Sequence, residues 1–308
     1  MRWPRRTTKE SQDKVNTPEI VAAIAQLQVK RKWTIKLNNK LMATTRALAR
    51  RYCGFVWDVA ETEREKVNKR AAGIVDRALK GWNPKEPQPD KVLTEQLPAD
   101  LDIAEMMAPE LVLLCQTLGL YEKRRDVIES EMKNLAKQLP VYFWAESVAG
   151  LGKIGLAVTV GEAGDLSRFP NVRHLWKRLG LAPFEKNGEC RAMSQWHGNQ
   201  LDAEEWIQAG YSGKRRAEIY ACVGESLVKH QLLSKTKTES GLSEAKGPYG
   251  RVFVARRAHC AEVHPDWKNG HLNNDAKRVM TKAVLKDLWR EWNHCEGIEM
   301  QIDRWAAE

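Results

Sequence analysis

Residues 111–139 contain an apolar repeat that strongly limits how this chain can fold. Apolar side chains recur at alternating spacings of three and four residues over four heptads, and Arg125 is the one polar member of the series. The series consists of Leu111, Leu114, Leu118, Tyr121, Arg125, Ile128, Met132, Leu135 and Leu139. It predicts a coiled-coil helix over 101–140 that Pro140 ends. Its seam could pair with a second copy, giving a homo-oligomer, or with the chain's own helix at 17–51.

Other local signals predict a mainly α-helical protein. Thr17-Pro18-Glu19 is a helix start, with a capping hydroxyl, a proline and an acid in the first turn. Thr62 and Glu65 have the spacing of a capping box and open a second helix that ends near Gly81. Further helices are predicted over about 203–233, 250–263 and 273–293, the last capped by Asn273 or Asn274. No series of strands has the spacing that an α/β sheet would need.

These signals divide the chain into five segments. Three prolines within residues 83–89 are typical of a linker, and the polar residues of about 234–250 are typical of an exposed insertion. The predicted segments are a disordered basic tail at 1–16, a helical basic region at 17–82, a Pro-rich linker at 83–100, the coiled-coil helix at 101–140 and a C-terminal domain at 141–308.

The positive charge of the chain is concentrated at its start. The net charge is +10, and residues 1–51 alone contain 13 Lys/Arg and 3 Asp/Glu. A basic arm of this kind suits a polyanion such as DNA or RNA, although a solvated tail would have the same composition. Six widely spaced cysteines and the lack of a long apolar run indicate a reduced, cytoplasmic protein without a membrane span.

Residues 148–157 have the glycine pattern of a helix-hairpin-helix motif. Gly150 and Gly152 would permit a tight turn with positive φ, and the first N–H groups of the following helix, with Lys153 beside them, would hold a DNA phosphate. Such contacts bind the DNA backbone and do not read the base sequence. The alternative is a turn whose glycines only pack two helices together.

The residues that follow carry a resemblance to a known family. Residues 161–170 read Gly-Glu-Ala-Gly-Asp-Leu-Ser-Arg-Phe-Pro, and 175–183 contain Leu-x-x-x-Leu-Gly-Leu-Ala-Pro. Together with the glycine turn, this string resembles the C-terminal domain of the IS-one-ten class of insertion-sequence transposases, the DEDD or bridge-RNA-guided recombinases. The resemblance covers roughly residues 105–293. It implies a RuvC-like domain, a coiled coil and a transposase-like C-terminal domain, acting in DNA transposition or recombination in the bacterial cytosol or nucleoid, with DNA and a structured guide RNA as partners.

The same resemblance implies a serine nucleophile that attacks a phosphodiester. Ser194, followed by Gly198-Asn199, matches the family's pattern, and Ser212 is a weaker candidate. A helix cap or a turn is the alternative explanation of the Ser194 hydroxyl. Attack by serine needs a base and nearby cations, and the side chains of the right type are Arg191, His197, Arg215 and Arg216.

The chain departs from the family at its N-terminal end. The family's RuvC-like domain carries acidic residues that bind a divalent metal, and the sequence offers no match to that domain or its carboxylate site. We therefore expect no cofactor in this chain. The alternative to an active recombinase is a non-catalytic or domesticated nucleic-acid-binding factor, or a chain to which a separate protein supplies the missing domain.

Two sets of basic residues are further candidates for contact with phosphates. Arg168, Arg173, Lys177 and Arg178 follow the glycine turn closely. The second set, Arg278, Lys282, Lys286 and Arg290, recurs every four residues along a helix, where a solvated face is an equally good interpretation. The spacing of His259-Cys260, His264, His271 and His294-Cys295 fits none of the usual zinc patterns, and no metal site is predicted.

Overall fold

A computed structural model of the chain describes residues 16–83, 88, 95–192, 201–202, 204–205, 210, 212–233 and 244–297. Within these ranges the fold is mainly α, as the sequence predicts. The helices are α1 (Thr17–Tyr52), α2 (Glu61–Gly81), α3 (Leu101–Met106), α4 (Ala108–Ala136), α5 (Tyr142–Ser147), α6 (Gly152–Ala163), α7 (Val172–Arg178), α8 (Gly213–Ile219), α9 (Glu225–Gln231), α10 (Pro248–Val263) and α11 (Asn269–Cys295). A π-helical turn, Tyr220–Gly224, joins α8 to α9. No helix among the described residues is long and apolar enough to cross a membrane.

The sequence predicts the start of α1 correctly and the start of α2 incorrectly. Helix α1 begins at Thr17 as predicted, and the carbonyl oxygen of Asn16 accepts the N–H groups of Glu19 and Ile20. The prediction of a capping box that begins at Thr62 is wrong. Helix α2 begins one residue earlier, at Glu61, and no side chain caps it. Acidic residues in its first turn, Glu61 and Glu63, stabilise its positive end instead.

The chain forms two compact units, and residues 29–130 make up one of them. In this unit the first part of the heptad seam, Leu111 and Leu114, is buried in one apolar cluster with Ile74 of α2 and Ala49 of α1. The later part of the seam, around Arg125, also lies beside α1. Arg31 of α1 donates a 2.8 Å hydrogen bond to Glu129 of α4, and Arg125 lies 3.9 Å from the same carboxylate. The chain's own helices thus bury this seam, which favours the intramolecular alternative, and pairing of two copies through 111–139 stays a prediction.

The end of the predicted linker is part of the same unit. Leu97 is fully buried in its apolar cluster. Pro98–Asp100 forms a turn of 3-10 helix, and the buried carboxylate of Asp100 accepts hydrogen bonds from Arg70 and Arg77 of α2. These residues therefore fold against α2, although three nearby prolines gave the segment the composition of a linker.

The second unit comprises residues 1–28 and 131–308, and α11 is its longest helix. Helix α11 packs along α10, and its buried residues include Leu272, Met280, Val284, Leu288 and Trp292. The predicted cap at Asn273 or Asn274 is wrong. The helix begins at Asn269, so both asparagines lie inside it. The side-chain oxygen of Asn273 accepts a hydrogen bond from Arg257 of α10.

Two indole N–H groups attach the α7 region to α11. The Nε1 of Trp176 donates to the carbonyl oxygen of Lys282 at 3.1 Å, and the Nε1 of Trp289 donates to that of Phe169 at 3.2 Å. These bonds fix the segment that follows the glycine turn on the long helix. The basic residues of α7 therefore have a rigid support.

A β-hairpin follows α7. Strands β1 (Pro183–Lys186) and β2 (Glu189–Ala192) are antiparallel, and Lys186 pairs with Glu189 across a two-residue turn. Asn187 and Gly188 both have positive φ, 53° and 77°, as a type I′ hairpin turn requires.

The last residues of the predicted insertion at 234–250 are helical, since α10 begins at Pro248. The predicted tail lies almost entirely outside the described residues.

Candidate nucleic-acid interface

The turn between α5 and α6 has the backbone that the glycine pattern predicts. Gly150 and Gly152 have φ values of 94° and 52°, which side-chain-bearing residues rarely adopt. The N–H of Gly155 donates a hydrogen bond to the carbonyl oxygen of Leu151, and this bond closes the first turn of α6. The chain thus reverses between two helices within a few residues.

The two glycines have different surroundings. A Cβ on Gly150 would lie 2.8 Å from the carbonyl oxygen of Ser226 and 2.9 Å from the Cα of Leu227, so this glycine permits close packing on α9. A Cβ on Gly152 would meet no atom within 4 Å. Packing within the protein therefore explains Gly150, while the space beside Gly152 at the start of α6 is open.

Lys153 already has a partner within the protein. Its Nζ lies 3.1 Å from Glu146 of α5, and Tyr142 donates a hydrogen bond to the same carboxylate. The hydrogen bonds from Tyr142 and Lys153 lower the pKa of Glu146, and the bonds to Glu146 and Tyr142 raise the pKa of Lys153. Glu146 and Lys153 are open to solvent, whereas Tyr142 is buried. An anion at this turn would have to compete with Glu146 for the ammonium group.

The polar residues of the family-like string hold the chain in place. Asp165 accepts hydrogen bonds from the backbone N–H and the hydroxyl of Ser167, at 2.9 and 2.7 Å. Asn171 caps α7 by accepting from the N–H groups of Arg173 and His174. Their role in this structure is to shape the backbone between α6 and α7.

Four basic residues around α7 lie on the surface, and we call them the α7 basic face. They are Arg168, Arg173, Lys177 and Arg178. Helix α7 buries Val172 and Leu175, which leaves Arg173 and Lys177 one turn apart on its outer side. Arg168, Arg173 and Lys177 form no ion pair within the part of the chain that the structure describes. Burial and repulsion from Arg215 lower the pKa of Arg178, which Glu162 partly offsets.

Lys282 of α11 lies beneath this face and adds to its positive potential. Its Nζ is 4.1 Å from the ring centre of Trp176 on α7. Burial, followed by repulsion from Arg278, lowers the pKa of Lys282 to about 8, and Arg173 contributes to the same shift. Arg278, in contrast, pairs with Asp275 at 2.5 Å, and Arg290 lies 3.8 Å from Asp287. The predicted basic stripe on α11 is therefore neither continuous nor uniformly solvated.

The other predicted arginines contact groups within the protein. Arg215 lies 3.7 Å from the buried carboxylate of Glu162, which also accepts a 2.8 Å hydrogen bond from Gln28. The guanidinium of Arg216 lies 4.8 Å from the ring centre of Tyr220. The sequence analysis missed these acidic and aromatic partners. Glu162 lies more than fifty residues from Arg215, so no local pattern identifies it, whereas Tyr220 lies four residues after Arg216, a spacing at which helical side chains meet.

The structure describes Ser212 but not Ser194, the two candidate serines. Ser212 caps α8 by accepting a 3.4 Å hydrogen bond from the N–H of Arg215, so its hydroxyl has a structural role. Ser194, His197 and Gly198-Asn199 lie outside the described residues. Arg191 lies on β2, opposite Phe184. The nucleophile and its helpers therefore remain predictions from the resemblance.

The comparison with known families identifies one part of the chain. Residues 144–189 match the family model described as Transposase IS116/IS110/IS902 family. The matched stretch contains the glycine turn, α6, the α7 basic face and the first strand of the hairpin. It confirms the resemblance there and supports a transposase-like role in DNA transposition, of the kind found in insertion sequences. No curated protein and no solved structure matches the chain.

Proposed function

We propose that the chain binds the DNA backbone through the α7 basic face as part of a transposase-like role in DNA transposition. The observation that carries this proposal is the position of Arg168, Arg173, Lys177 and Arg178, all exposed and all within the residues that match a transposase family. Cations on a fixed helix neutralise phosphates without reading bases, and each contact releases counterions. Bridge-RNA binding belongs to the same proposal and rests on the family resemblance alone.

The open side of the glycine turn provides a second contact. The start of α6 is a helix N-terminus next to Gly152, where nothing would obstruct a ligand. Backbone N–H groups at such a terminus favour an anion. Lys153 would add a charge after exchanging Glu146 for a phosphate oxygen. Because of that exchange, this contact contributes less affinity than the α7 basic face.

The chemical step that the resemblance implies uses Ser194. Its hydroxyl oxygen would form a bond to a backbone phosphorus while the bond to one deoxyribose oxygen breaks, which leaves the DNA joined through a phosphoserine ester. The serine proton would pass to a base, for which His197 is the candidate, and arginines would stabilise the charge that develops on phosphate. Arg191, Arg215 and Arg216 are the arginines that the sequence offers for that role.

Among the described residues, no three carboxylates lie close enough together to share the divalent metal of the related family. In residues 29–130 the carboxylates with arginine partners are Asp76, Asp100 and Glu129. A carboxylate in an ion pair with arginine is poorly disposed to share a divalent cation with other acids. We therefore derive no step through such a metal. A non-catalytic DNA-binding factor is accordingly the second candidate function.

The test of DNA binding compares two double variants of equal charge. Arg173→Ala/Lys177→Ala removes two cations from the α7 basic face, and the control, Lys229→Ala/Arg251→Ala, removes exposed cations from α9 and α10. Affinity for duplex DNA is measured by fluorescence anisotropy at fixed salt. We expect the first variant to bind at least tenfold more weakly and the control to bind within about twofold of the intact chain. Equal affinity of the two variants would contradict the proposal.

A second experiment separates the two candidate functions. Ser194→Ala should bind duplex DNA as the intact chain does in both cases. A recombinase would form a covalent protein–DNA adduct that resists denaturant, and Ser194→Ala would not form it. A binding factor would form no adduct with either chain. An adduct that persists in Ser194→Ala would rule out this serine as the nucleophile.

A further inference from the structure

The last turns of α11 bring three metal-binding side chains together. Glu291, His294 and Cys295 are separated by three and four residues, which places them on one side of the helix. One ligand atom from each lies within 4.8 Å of the others. Within the part of the chain that the structure describes, this is the one such group of His, Cys, Asp and Glu.

The distances are close to those of a tetrahedral metal site. The Nδ1 of His294 lies 4.0 Å from the Oε1 of Glu291, and the Sγ of Cys295 lies 3.9 Å from the same oxygen. Bonds of about 2.0–2.3 Å in a tetrahedral zinc site place ligand atoms roughly 3.3–3.7 Å apart. Small changes of side-chain torsion would close this difference. The His294 side chain is 79% exposed, so it can change its torsion angles at little cost in free energy.

The local electrostatics also favour a cation. The site lies at the C-terminal end of a 27-residue helix, where the last carbonyl groups give a negative potential. Glu291 and Glu296 add negative charge on either side of Cys295. In the structure the thiol contacts the carbonyl oxygen of Pro140 at 3.7 Å. A divalent ion would displace the thiol proton and compensate the charges of the thiolate and the carboxylate.

Other histidines and cysteines of the unit are engaged elsewhere. His264 stacks on Trp267 at 4.1 Å between ring centres, and Cys260 lies 3.3 Å from a carboxylate oxygen of Asp275. These contacts distinguish them from the group at the end of α11. This group was not predicted from the sequence, because Glu291 was not considered as a ligand beside His294 and Cys295.

We propose that Glu291, His294 and Cys295 bind a divalent transition-metal ion of the zinc class. Carboxylate, imidazole and thiolate are the ligands that such ions prefer, and three protein ligands leave a fourth position for water or another donor. On binding, Sγ forms a bond to the metal and releases its proton to solvent. The thiolate has no proton to donate, so its contact with the carbonyl oxygen of Pro140 would be lost on binding. This proposal is independent of DNA binding.

Cobalt(II) is the probe that tests it, because a bond between cobalt and thiolate produces a charge-transfer absorption band. The full chain, reduced and without a polyhistidine tag, is titrated with Co²⁺ at neutral pH, and Zn²⁺ is then added. We expect the band to saturate at one Co²⁺ per chain and to disappear when Zn²⁺ replaces the cobalt. Cys295→Ser should abolish the band, and His294→Ala should weaken Co²⁺ affinity at least tenfold.

Two controls separate this site from the rest of the chain. Cys222→Ser and His271→Ala alter residues outside the group and should leave the band and the affinity unchanged. Circular dichroism verifies that each variant is folded. Absence of the charge-transfer band in the intact chain would overturn the proposal, as would a band of equal strength in Cys295→Ser. If only Cys295→Ser fails to fold, the His294→Ala titration decides, and unchanged affinity overturns the proposal.

Discussion

The side-chain amide of Gln231 donates a 2.8 Å hydrogen bond to the carbonyl oxygen of Ala149, across 82 residues of sequence. Gln231 is the last residue of α9 and is 2% exposed. Its own carbonyl oxygen accepts the N–H groups of Lys246 and Gly247. One buried residue thus connects the glycine turn to the segment that leads into α10.

Removing this amide should destabilise the protein. We expect Gln231→Ala to lower the free energy of unfolding by about 1–3 kcal/mol, because a buried side chain and its hydrogen bond to the carbonyl of Ala149 are both lost. Urea denaturation followed by circular dichroism measures the change. Gln138→Ala is the matched control, since that amide is exposed and donates its hydrogen bond to the carbonyl oxygen of Asn134 at the end of α4. A loss below about 0.5 kcal/mol in Gln231→Ala would mean that the hydrogen bond contributes little.

The two glycines of the turn should respond differently to alanine. Both substitutions place a side chain at positive φ, which costs about 1–2 kcal/mol. Gly150→Ala also forces its Cβ against the backbone of Ser226 and Leu227, so we expect it to lose clearly more stability than Gly152→Ala. Thermal denaturation of both variants measures the difference. Equal losses would show that α9 can move away from the turn.

Acid should weaken the structure through Asp275. Burial alone would raise the pKa of this carboxyl, but hydrogen bonds and ion pairs with Arg278 and Arg256 hold it at about 2. A depressed pKa means that the carboxylate stabilises the fold above pH 4 and that this stability is lost as the pH falls towards 2. We expect Asp275→Asn to cost about 2 kcal/mol at pH 7 and progressively less in acid. Denaturation at several pH values measures this, with the exposed Asp266→Asn as control.

Lys282 gives a pH dependence of the same sign as that of Asp275, but in an alkaline interval. Its pKa is about 8 in the folded protein, below the ordinary value for lysine, so the unfolded chain binds more protons between roughly pH 8 and pH 10. Stability attributable to this residue should therefore rise with pH in that interval. Lys282→Met should increase stability at pH 7 by on the order of 1 kcal/mol and abolish that rise. The exposed Lys229→Met should do neither.

The features that could be predicted from the sequence are those that a local pattern determines. Two glycines in Gly-Leu-Gly imply positive φ, and an unbroken heptad series implies a long helix. The Asn187-Gly188 turn had an equally strong local signal, because this dipeptide favours the type I′ turn of a hairpin, yet no hairpin was predicted there. The start of α11 was misplaced for a related reason, since several asparagines near residue 270 were equally good caps.

What could not be predicted depends on residues that are distant in sequence. The neighbour that makes Gly150 necessary is Ser226, and the carboxylate that binds Arg215 belongs to Glu162. Lys153 has the residue type of a phosphate ligand, but Glu146 across the turn already holds its charge. Such contacts arise only when helices pack, so residue type alone overestimates the number of cations available to DNA.

The central claim is that the α7 basic face holds DNA phosphates, and the salt dependence of affinity tests it most directly. The affinity of duplex DNA for the intact chain and for Arg173→Ala/Lys177→Ala is measured over a series of salt concentrations. Each phosphate contact adds about 0.9 to the slope of log affinity against log salt. We predict that the double variant lowers this slope by about 2 while the chain remains folded. Identical slopes for the two proteins would show that these residues do not contact DNA and would contradict the account.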